Sequence, residues 1–376
     1  MGGFGRRRGR ERGTAITTVS TAAAPLAVLD SVSRVFKVAE RESGRGAVWR
    51  SLFHRRHRFI QAIDQVSFSL YAGEIVGLLG PNGCGKTTTL KCVAGLLTPT
   101  SGSLDVLGFV PQRRPVEFLR QIGFIMGQRS QLNPDVSVFD SLAARRVIYG
   151  LSPAQFASSQ DELVELLGLA QFGDAPVRQL SLGQRMRCEL AAALLHQPKL
   201  VLLDEPTIGL DFDAQAAIRT FVKAYAASHR AGIVLTSHYL ADIEALAQRV
   251  LVLAGGRLVF SGQLDQLRHL DDGRKLVTVR CREAVETVGG TDDPDDPAQL
   301  AATPWAGLVT GRRESEIELT ADRDDLPELL RHLSRQPGVS DLQVGDPPLE
   351  VALGQLYAAS ASPDNPADLD DPGSQP

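Results

Sequence analysis

Cysteine is scarce in this sequence, and its spacing excludes the motifs that cysteine usually forms. The four residues are Cys84, Cys92, Cys188 and Cys281, and no two of them make a C-x-x-C pair. Zinc ribbons, zinc fingers and dithiol redox centres need such closely spaced pairs. The pattern therefore predicts free thiols in a reducing compartment rather than a disulfide framework or a metal site.

Long apolar runs are also missing. A membrane-spanning helix needs about 18 or more consecutive apolar residues, and no run approaches that length. Five arginines crowd residues 6–12, but no apolar segment follows them, so a secretory signal is not expected. Residues 1–25 instead predict a disordered basic tail, with weak attraction to anionic lipid as the alternative.

A strong charge of either sign is absent as well. The 376 residues carry 40 Lys and Arg against 44 Asp and Glu, a formal net charge of −4. This balance gives no electrostatic support for nucleic-acid binding. The length is sufficient for two domains with a sizeable core.

A phosphate-binding motif is what the sequence does contain. Residues 80–87 fit G-x-x-x-x-G-K-[ST], after an apolar run at 74–79 that predicts a buried strand and before a helical pattern that starts at Thr88. A glycine-rich turn at a helix N-terminus turns backbone N–H groups onto phosphate oxygens. We expect Lys86 to reach the β- and γ-phosphates and Thr87 to bind Mg²⁺; the alternative is a plain turn before a helix. The residues expected to contact nucleotide are Gly80, Pro81, Asn82, Gly83, Cys84, Gly85, Lys86, Thr87 and Thr88.

A second apolar strand begins at residue 199 and ends in two carboxylates, Asp204 and Glu205. Alone, such a pair is more often a solvated strand end than a catalytic pair. Its pairing with the phosphate loop favours catalysis: Asp204 would hold the Mg²⁺ shell. Glu205 points elsewhere, because strand side chains alternate, and would orient or deprotonate an attacking water.

Seven elements in a fixed order carry a family resemblance. They are Phe36, the phosphate loop at 80–87, Gln128, Leu-Ser-x-Gly-Gln at 180–184, Asp204-Glu205, Gly209-Leu210-Asp211 and Ser237-His238. Over about residues 26–267 the chain resembles the nucleotide-binding subunit of an ATP-binding cassette (ABC) transporter. Within that family it is most similar to the bacterial exporter ATPases that serve separately encoded ABC-2-type permeases.

The resemblance implies roles for residues whose own patterns are weak. Phe36 would stack on adenine, although it could equally belong to the core. Gln128 would contact Mg²⁺ or water, and His238 would contact the γ-phosphate and help to hold the water. Asp211 would lie at a subunit interface.

The signature segment keeps most of the family pattern. Ser181, Gly183 and Gln184 would meet the γ-phosphate bound to another subunit, although Leu182 stands where glycine is commonest. Ser181 and Gln184 also fit a capping box, which is compatible with that role because a capped helix start can bind an anion.

The implied fold is α/β, with a P-loop NTPase core, an antiparallel β-subdomain and a helical subdomain at about 128–184. We expect this cassette to span residues 26–270, interrupted by a basic insertion at 38–58. That insertion is either a solvated loop or a contact with permease or lipid. Residues 271–360 predict a small α+β accessory domain, and 361–376 a disordered acidic tail.

The resulting hypothesis is an ATPase that uses ATP and Mg²⁺, works as a homodimer or paired cassette, and powers an ABC-2-type membrane permease. It would sit peripherally on the cytoplasmic face of the cell membrane, with no nucleic-acid partner. One alternative is a soluble ABC ATPase that acts on ribosomes or DNA. Another is a nucleotide-binding module that no longer hydrolyses ATP, which intact Glu205 and His238 disfavour.

Overall fold

The computed structural model describes residues 24–39, 57–127, 130–268, 274–281, 309–313, 316–336 and 338–360. These residues form two compact units. The first runs to Gln263 and includes 358–360, and the second comprises 264–357. Apart from residues 24 and 25, the two predicted tails lie outside the described residues.

The described residues contain thirteen strands and ten α-helices. The strands are β1 Ala27–Ala39, β2 His57–Leu70, β3 Ile75–Leu79, β4 Ser101–Val106, β5 Ile122–Met126, β6 Leu200–Asp204, β7 Gly232–Thr236, β8 Arg249–Ala254, β9 Arg257–Gln263, β10 Lys275–Cys281, β11 Val309–Arg313, β12 Glu316–Ala321 and β13 Val339–Gly345. The helices are α1 Lys86–Val93, α2 Val116–Leu119, α3 Val138–Tyr149, α4 Pro153–Leu167, α5 Leu182–Leu194, α6 Phe212–His229, α7 Leu240–Leu246, α8 Leu264–Arg268, α9 Leu326–Leu333 and α10 Leu349–Ser360.

The first unit is built on a six-stranded sheet in the order β5-β6-β7-β3-β8-β9. Neighbouring strands from β5 to β8 are parallel, and β9 returns antiparallel to β8. Every residue of β3, β6 and β7 is buried, as continuous apolar strands in a parallel sheet require. This arrangement confirms the predicted P-loop NTPase core, and it places the carboxyl ends of β3, β6 and β7 at one edge.

A three-stranded antiparallel sheet, β2-β1-β4, confirms the predicted β-subdomain. The insertion is shorter than its predicted bounds of 38–58, because Val38 pairs with Arg58 and Ala39 with His57 in the β1–β2 ladder. Its remaining residues, 40–56, lie outside the described part of the chain.

The predicted helical subdomain contains α3, α4 and the start of α5. Helix α4 begins at a capping box formed by Ser152 and Gln155, and Gly168 ends it in the left-handed conformation. Leu163 and Leu167 are buried as the helical spacing predicts. Leu166 also falls at helical spacing in the sequence, but it is 40% exposed, because it lies off the face that these two leucines bury.

The second unit has a core of its own. Its sheet has the order β11-β12-β10-β13. Alternate residues of β10 and β12, among them Val277 and Ile317, pack with Leu329 and Leu333 of α9. The sequence itself predicts β10 and β12 from the strand-like residues at 276–279 and 316–319, and α9 and α10 from leucines at helical spacing; it does not predict β11 and β13. No helix in the described ranges combines the length and apolarity needed to cross a membrane.

Candidate active site

The phosphate loop connects β3 to α1. Gly85 is the N-cap of α1 with φ 106°, and a Cβ atom there would lie 2.3 Å from the carbonyl oxygen of Ala62, so only glycine fits. The buried Lys86 Nζ donates hydrogen bonds to the carbonyl oxygens of Gly80 (2.6 Å) and Pro81 (3.0 Å). The lysine cation is therefore held over the loop by acceptors that phosphate oxygens can replace.

A cavity joins this loop to the predicted catalytic carboxylate. Its lining residues are Asn82, Gly83, Gly85, Lys86, Thr87, Thr88 and Glu205. Cys84 is buried, and burial raises the pKa of its thiol, with Lys86 opposing the shift. The tertiary structure thus brings the loop and Glu205 together as predicted, with a neutral thiol inside the loop.

Thr87 and Asp204 form a pair of hard oxygen donors. The Oδ1 atom of Asp204 accepts hydrogen bonds from Thr87 Oγ1 (3.1 Å) and from Thr236 Oγ1 (2.8 Å). Within the described ranges no group of three or more His, Cys, Asp or Glu side chains could hold a metal ion alone. Mg²⁺ usually takes one or two carboxylates and completes its shell with phosphate and water, so this donor pair fits that ion.

Glu205 and His238 form a direct contact. Glu205 Oε1 and His238 Nε2 lie 2.8 Å apart, and their side chains are 16% and 39% exposed. Glu205 has φ 56°, a left-handed conformation that a non-glycine residue rarely adopts. Its N–H donates to Thr236 Oγ1 (2.9 Å) and to the Thr236 carbonyl (3.1 Å), and these bonds hold the unusual backbone.

Gly127 makes room for this conformation. A Cβ atom at Gly127 would lie 2.0 Å from the Glu205 carbonyl oxygen, and the Gly127 N–H donates to the Asp204 carbonyl at 2.8 Å. Sequence reasoning singled out neither Gly127 nor Thr236. Thr236 carried a usable signal, because it ends the strand directly before Ser237-His238 and parallel strands end at one edge. Gln128, the next predicted residue, lies outside the described residues.

The signature segment opens helix α5. Ser181 Oγ accepts from the Gln184 N–H (3.2 Å), and Gln184 Oε1 accepts from the Ser181 N–H (3.0 Å), which confirms the capping box. Ser181 and Leu182 are exposed. None of residues 181–184 lines the cavity at the phosphate loop. The cavity beside the phosphate loop is therefore lined without the signature segment.

The two remaining predicted site residues are Asp211 and Phe36. Asp211 caps helix α6, accepting from the Ala214 N–H at 2.8 Å. Phe36 lies in β1 opposite Ile60 and is half-buried, outside the hydrophobic core. The Arg34 guanidinium lies 4.8 Å from its ring centroid. Phe36 is thus partly exposed and has an arginine against its ring.

Comparisons with known proteins converge on one family. Residues 63–208 match the sequence profile of the family described as ABC transporter. Nod factor export ATP-binding protein I of Cupriavidus metallidurans is 38% identical over 218 residues, covering 58% of this chain and 71% of that protein. Daunorubicin resistance ATP-binding protein DrrA3 of Streptomyces coeruleorubidus is 30% identical over 299 residues, covering 74% of this chain and 93% of that protein.

A solved structure agrees with these relatives. An ATP-binding subunit of an ABC transporter is 26% identical and superposes with a TM-score of 0.53. The match covers 65% of this chain and 92% of the solved one.

Proposed function

Because this chain belongs to the ATP-binding proteins of ABC transporters, we propose that its ATPase activity drives a separate ABC-2-type permease in the membrane. The names of two relatives support export: one is a Nod factor export protein and the other a daunorubicin resistance protein. These relatives favour transport over a soluble ATPase that acts on ribosomes or DNA. The proposed place of action is the cytoplasmic face of the cell membrane.

The phosphate loop supplies substrate binding. Backbone N–H groups around Gly83 and Gly85, together with the start of α1, face the cavity and favour phosphate oxygens. Lys86 exchanges its two carbonyl acceptors for the β- and γ-phosphates. Thr87 and Asp204 would hold Mg²⁺, which neutralises charge on the transferred phosphoryl group when bound. Phe36 offers its ring to adenine.

Glu205 supplies the chemistry. Its carboxylate lines the cavity and contacts His238 at 2.8 Å. From this position Glu205 accepts the proton of the attacking water, and His238 fixes the orientation of the carboxylate. The contact between these two side chains beside the phosphate loop is the observation that carries the proposal.

Two copies of the chain would complete the catalytic unit. Ser181 and Gly183 are absent from the cavity of their own chain, so their helix start is available to a γ-phosphate held by a second cassette. Asp211, at the start of α6, would lie at the same interface. Closure of such a dimer around ATP would push on the permease, and hydrolysis would reopen it.

Glu205→Gln tests the assigned chemistry. The amide cannot accept the proton, so we expect kcat to fall about 10²–10⁴-fold while ATP still binds. Steady-state hydrolysis by purified protein, with equilibrium ATP binding measured in parallel, gives the answer. Near-normal turnover would remove Glu205 from this role.

Cell fractionation tests the permease. A membrane protein of the ABC-2 type encoded beside this chain is the candidate partner. The ATPase should sediment with membranes from cells that carry that gene and should move to the soluble fraction when the gene is deleted. Unchanged sedimentation after the deletion would contradict this partnership.

A further inference from the structure

Asp242, on the short helix α7, is a fully buried carboxylate with no role assigned so far. Its exposure is 0%, and it accepts three hydrogen bonds from side chains. Thr207 Oγ1 (2.5 Å) and Ser237 Oγ (2.7 Å) both donate to Oδ2, and Arg219 Nη1 (2.7 Å) donates to Oδ1. The carboxylate thus joins three separate segments of the chain.

Two of these donors flank the catalytic pair. Thr207 lies two residues after Glu205, and Ser237 directly precedes His238. One oxygen of Asp242 therefore ties both segments that carry the 2.8 Å contact between Glu205 and His238. Movement of either segment away from the other would break a hydrogen bond to this shared oxygen.

The chemistry of the network favours a carboxylate at this position. Ser237 Oγ donates to Asp242 and accepts from the Tyr239 N–H at 3.0 Å, so the direction of its hydroxyl proton is defined. Arg219 balances the charge, because its side chain is only 16% exposed and its guanidinium contacts the other oxygen. The ion pair of Asp242 with Arg219 is not by itself evidence of greater stability, since apolar residues of similar volume often stabilise a core equally well.

We propose that Asp242 is a positioning residue, which holds Glu205 and His238 at hydrogen-bonding distance through Thr207 and Ser237. This inference rests on the proposed roles of Glu205 and His238. It predicts that loss of the network slows the chemical step and leaves ATP binding intact, because the phosphate loop lies outside the network.

Asp242→Asn tests this directly. An amide in either orientation leaves one side of the network unmatched: either its NH₂ group faces Arg219, or it faces both hydroxyls. We expect kcat to fall about 10- to 100-fold, as for a small misplacement of catalytic groups, with KM for ATP changed less than about twofold. Parent-level kcat in folded Asp242→Asn protein would overturn the proposal.

Two milder variants keep the test valid if Asp242→Asn does not fold. Thr207→Val and Ser237→Ala each remove one donor and retain the ion pair with Arg219. Each should lower kcat about 3- to 10-fold with KM almost unchanged, as expected for one hydrogen bond. Ser141→Ala is the matched control, because that hydroxyl is buried and donates to the Ser137 carbonyl (2.8 Å) in α3, outside this network. It should retain the parent kcat.

A double-mutant cycle separates positioning from general stabilisation. If Thr207 acts through the catalytic pair, Thr207→Val should not further slow the residual hydrolysis of Glu205→Gln protein. An equal loss in both backgrounds would contradict the inference. If Glu205→Gln alone hydrolyses ATP normally, the proposed function fails. If it is inactive while the Asp242, Thr207 and Ser237 variants keep parent rates, only the positioning inference fails.

Discussion

At the scale of single residues, Lys86 places a positive charge inside the phosphate loop. Its ammonium group is buried and bonded to two backbone carbonyls of its own loop. A lysine cation in this loop suits the clustered negative charge of a triphosphate.

Lys86→Ala should weaken both ATP binding and hydrolysis, since it removes the cation that we propose to face the β- and γ-phosphates. Glu205→Gln should instead retain binding and lose hydrolysis. Equilibrium binding of ATP at one fixed salt concentration distinguishes the two variants, because salt alters charge-based affinity. If Lys86→Ala bound ATP as tightly as the parent, the assigned orientation of the phosphate loop would be wrong.

At the same scale, Glu205 has an unusual backbone conformation. Its left-handed φ of 56° costs about 1–3 kcal/mol for a non-glycine residue. Two hydrogen bonds to Thr236 and the missing side chain at Gly127 keep this conformation in place. The backbone conformation of Glu205 is thus held by Gly127, directly after β5, and by Thr236 at the end of β7.

At the scale of elements, helices α4 and α5 begin in the same way. Ser152 with Gln155, and Ser181 with Gln184, both form complete capping boxes. Only the second box belongs to the segment that is proposed to meet nucleotide. The two helix starts therefore form a matched pair for separating stability from function.

Ser152→Ala and Ser181→Ala should each lower the free energy of unfolding by about 1 kcal/mol, the usual loss of a serine cap. Only Ser181→Ala should also reduce ATPase activity. Urea denaturation and steady-state hydrolysis, measured on both variants, provide the comparison. Equal activity in the two proteins would argue that Ser181 is a cap and nothing more.

At the scale of the whole molecule, the residues proposed to bind nucleotide lie in two places on one chain. The phosphate loop, Asp204, Glu205 and His238 meet at the carboxyl edge of the six-stranded sheet, whereas residues 181–184 do not line that cavity. A second copy is the direct way to bring a signature segment to a γ-phosphate.

ATP should therefore convert Glu205→Gln protein from monomer to dimer. Adding Ser181→Asp should abolish that dimer, because the new carboxylate would face the γ-phosphate, while aspartate still caps α5. Ser152→Asp, at the other capping box, is the control and should dimerise. Sedimentation with and without ATP tests this, and a dimer that survives Ser181→Asp would count against the shared site.

A second whole-molecule feature is the C-terminal unit at 264–357, whose core is independent of the cassette core. The buried residues of β10 and β12 alternate along each strand, and those of α9 follow the helical spacing. Both periods are visible in the sequence. Strand β13 was missed because most of its residues are exposed, so the sequence shows no alternation of apolar and polar residues there.

The sequence by itself determined the elements whose signals are local. The phosphate loop, the strand that ends at Asp204 and the capping box at Ser181 depend on residues that are neighbours along the chain. Short-range sterics and hydrogen bonds specify such features, so a motif or a period reveals them. The order of motifs along the chain likewise indicates the ABC family without tertiary information.

Only the tertiary structure decided how these pieces meet. Thr236 Oγ1 accepts a hydrogen bond from the Glu205 N–H and donates one to Asp204. These bonds, the contact of Glu205 with His238 and the junction at Asp242 all depend on β6 and β7 being neighbours in the sheet. Strand order follows from the packing of the whole unit, because the residues of one strand do not specify which distant strand pairs with it. The left-handed backbone of Glu205 has the same origin, since contacts from outside its own segment maintain it.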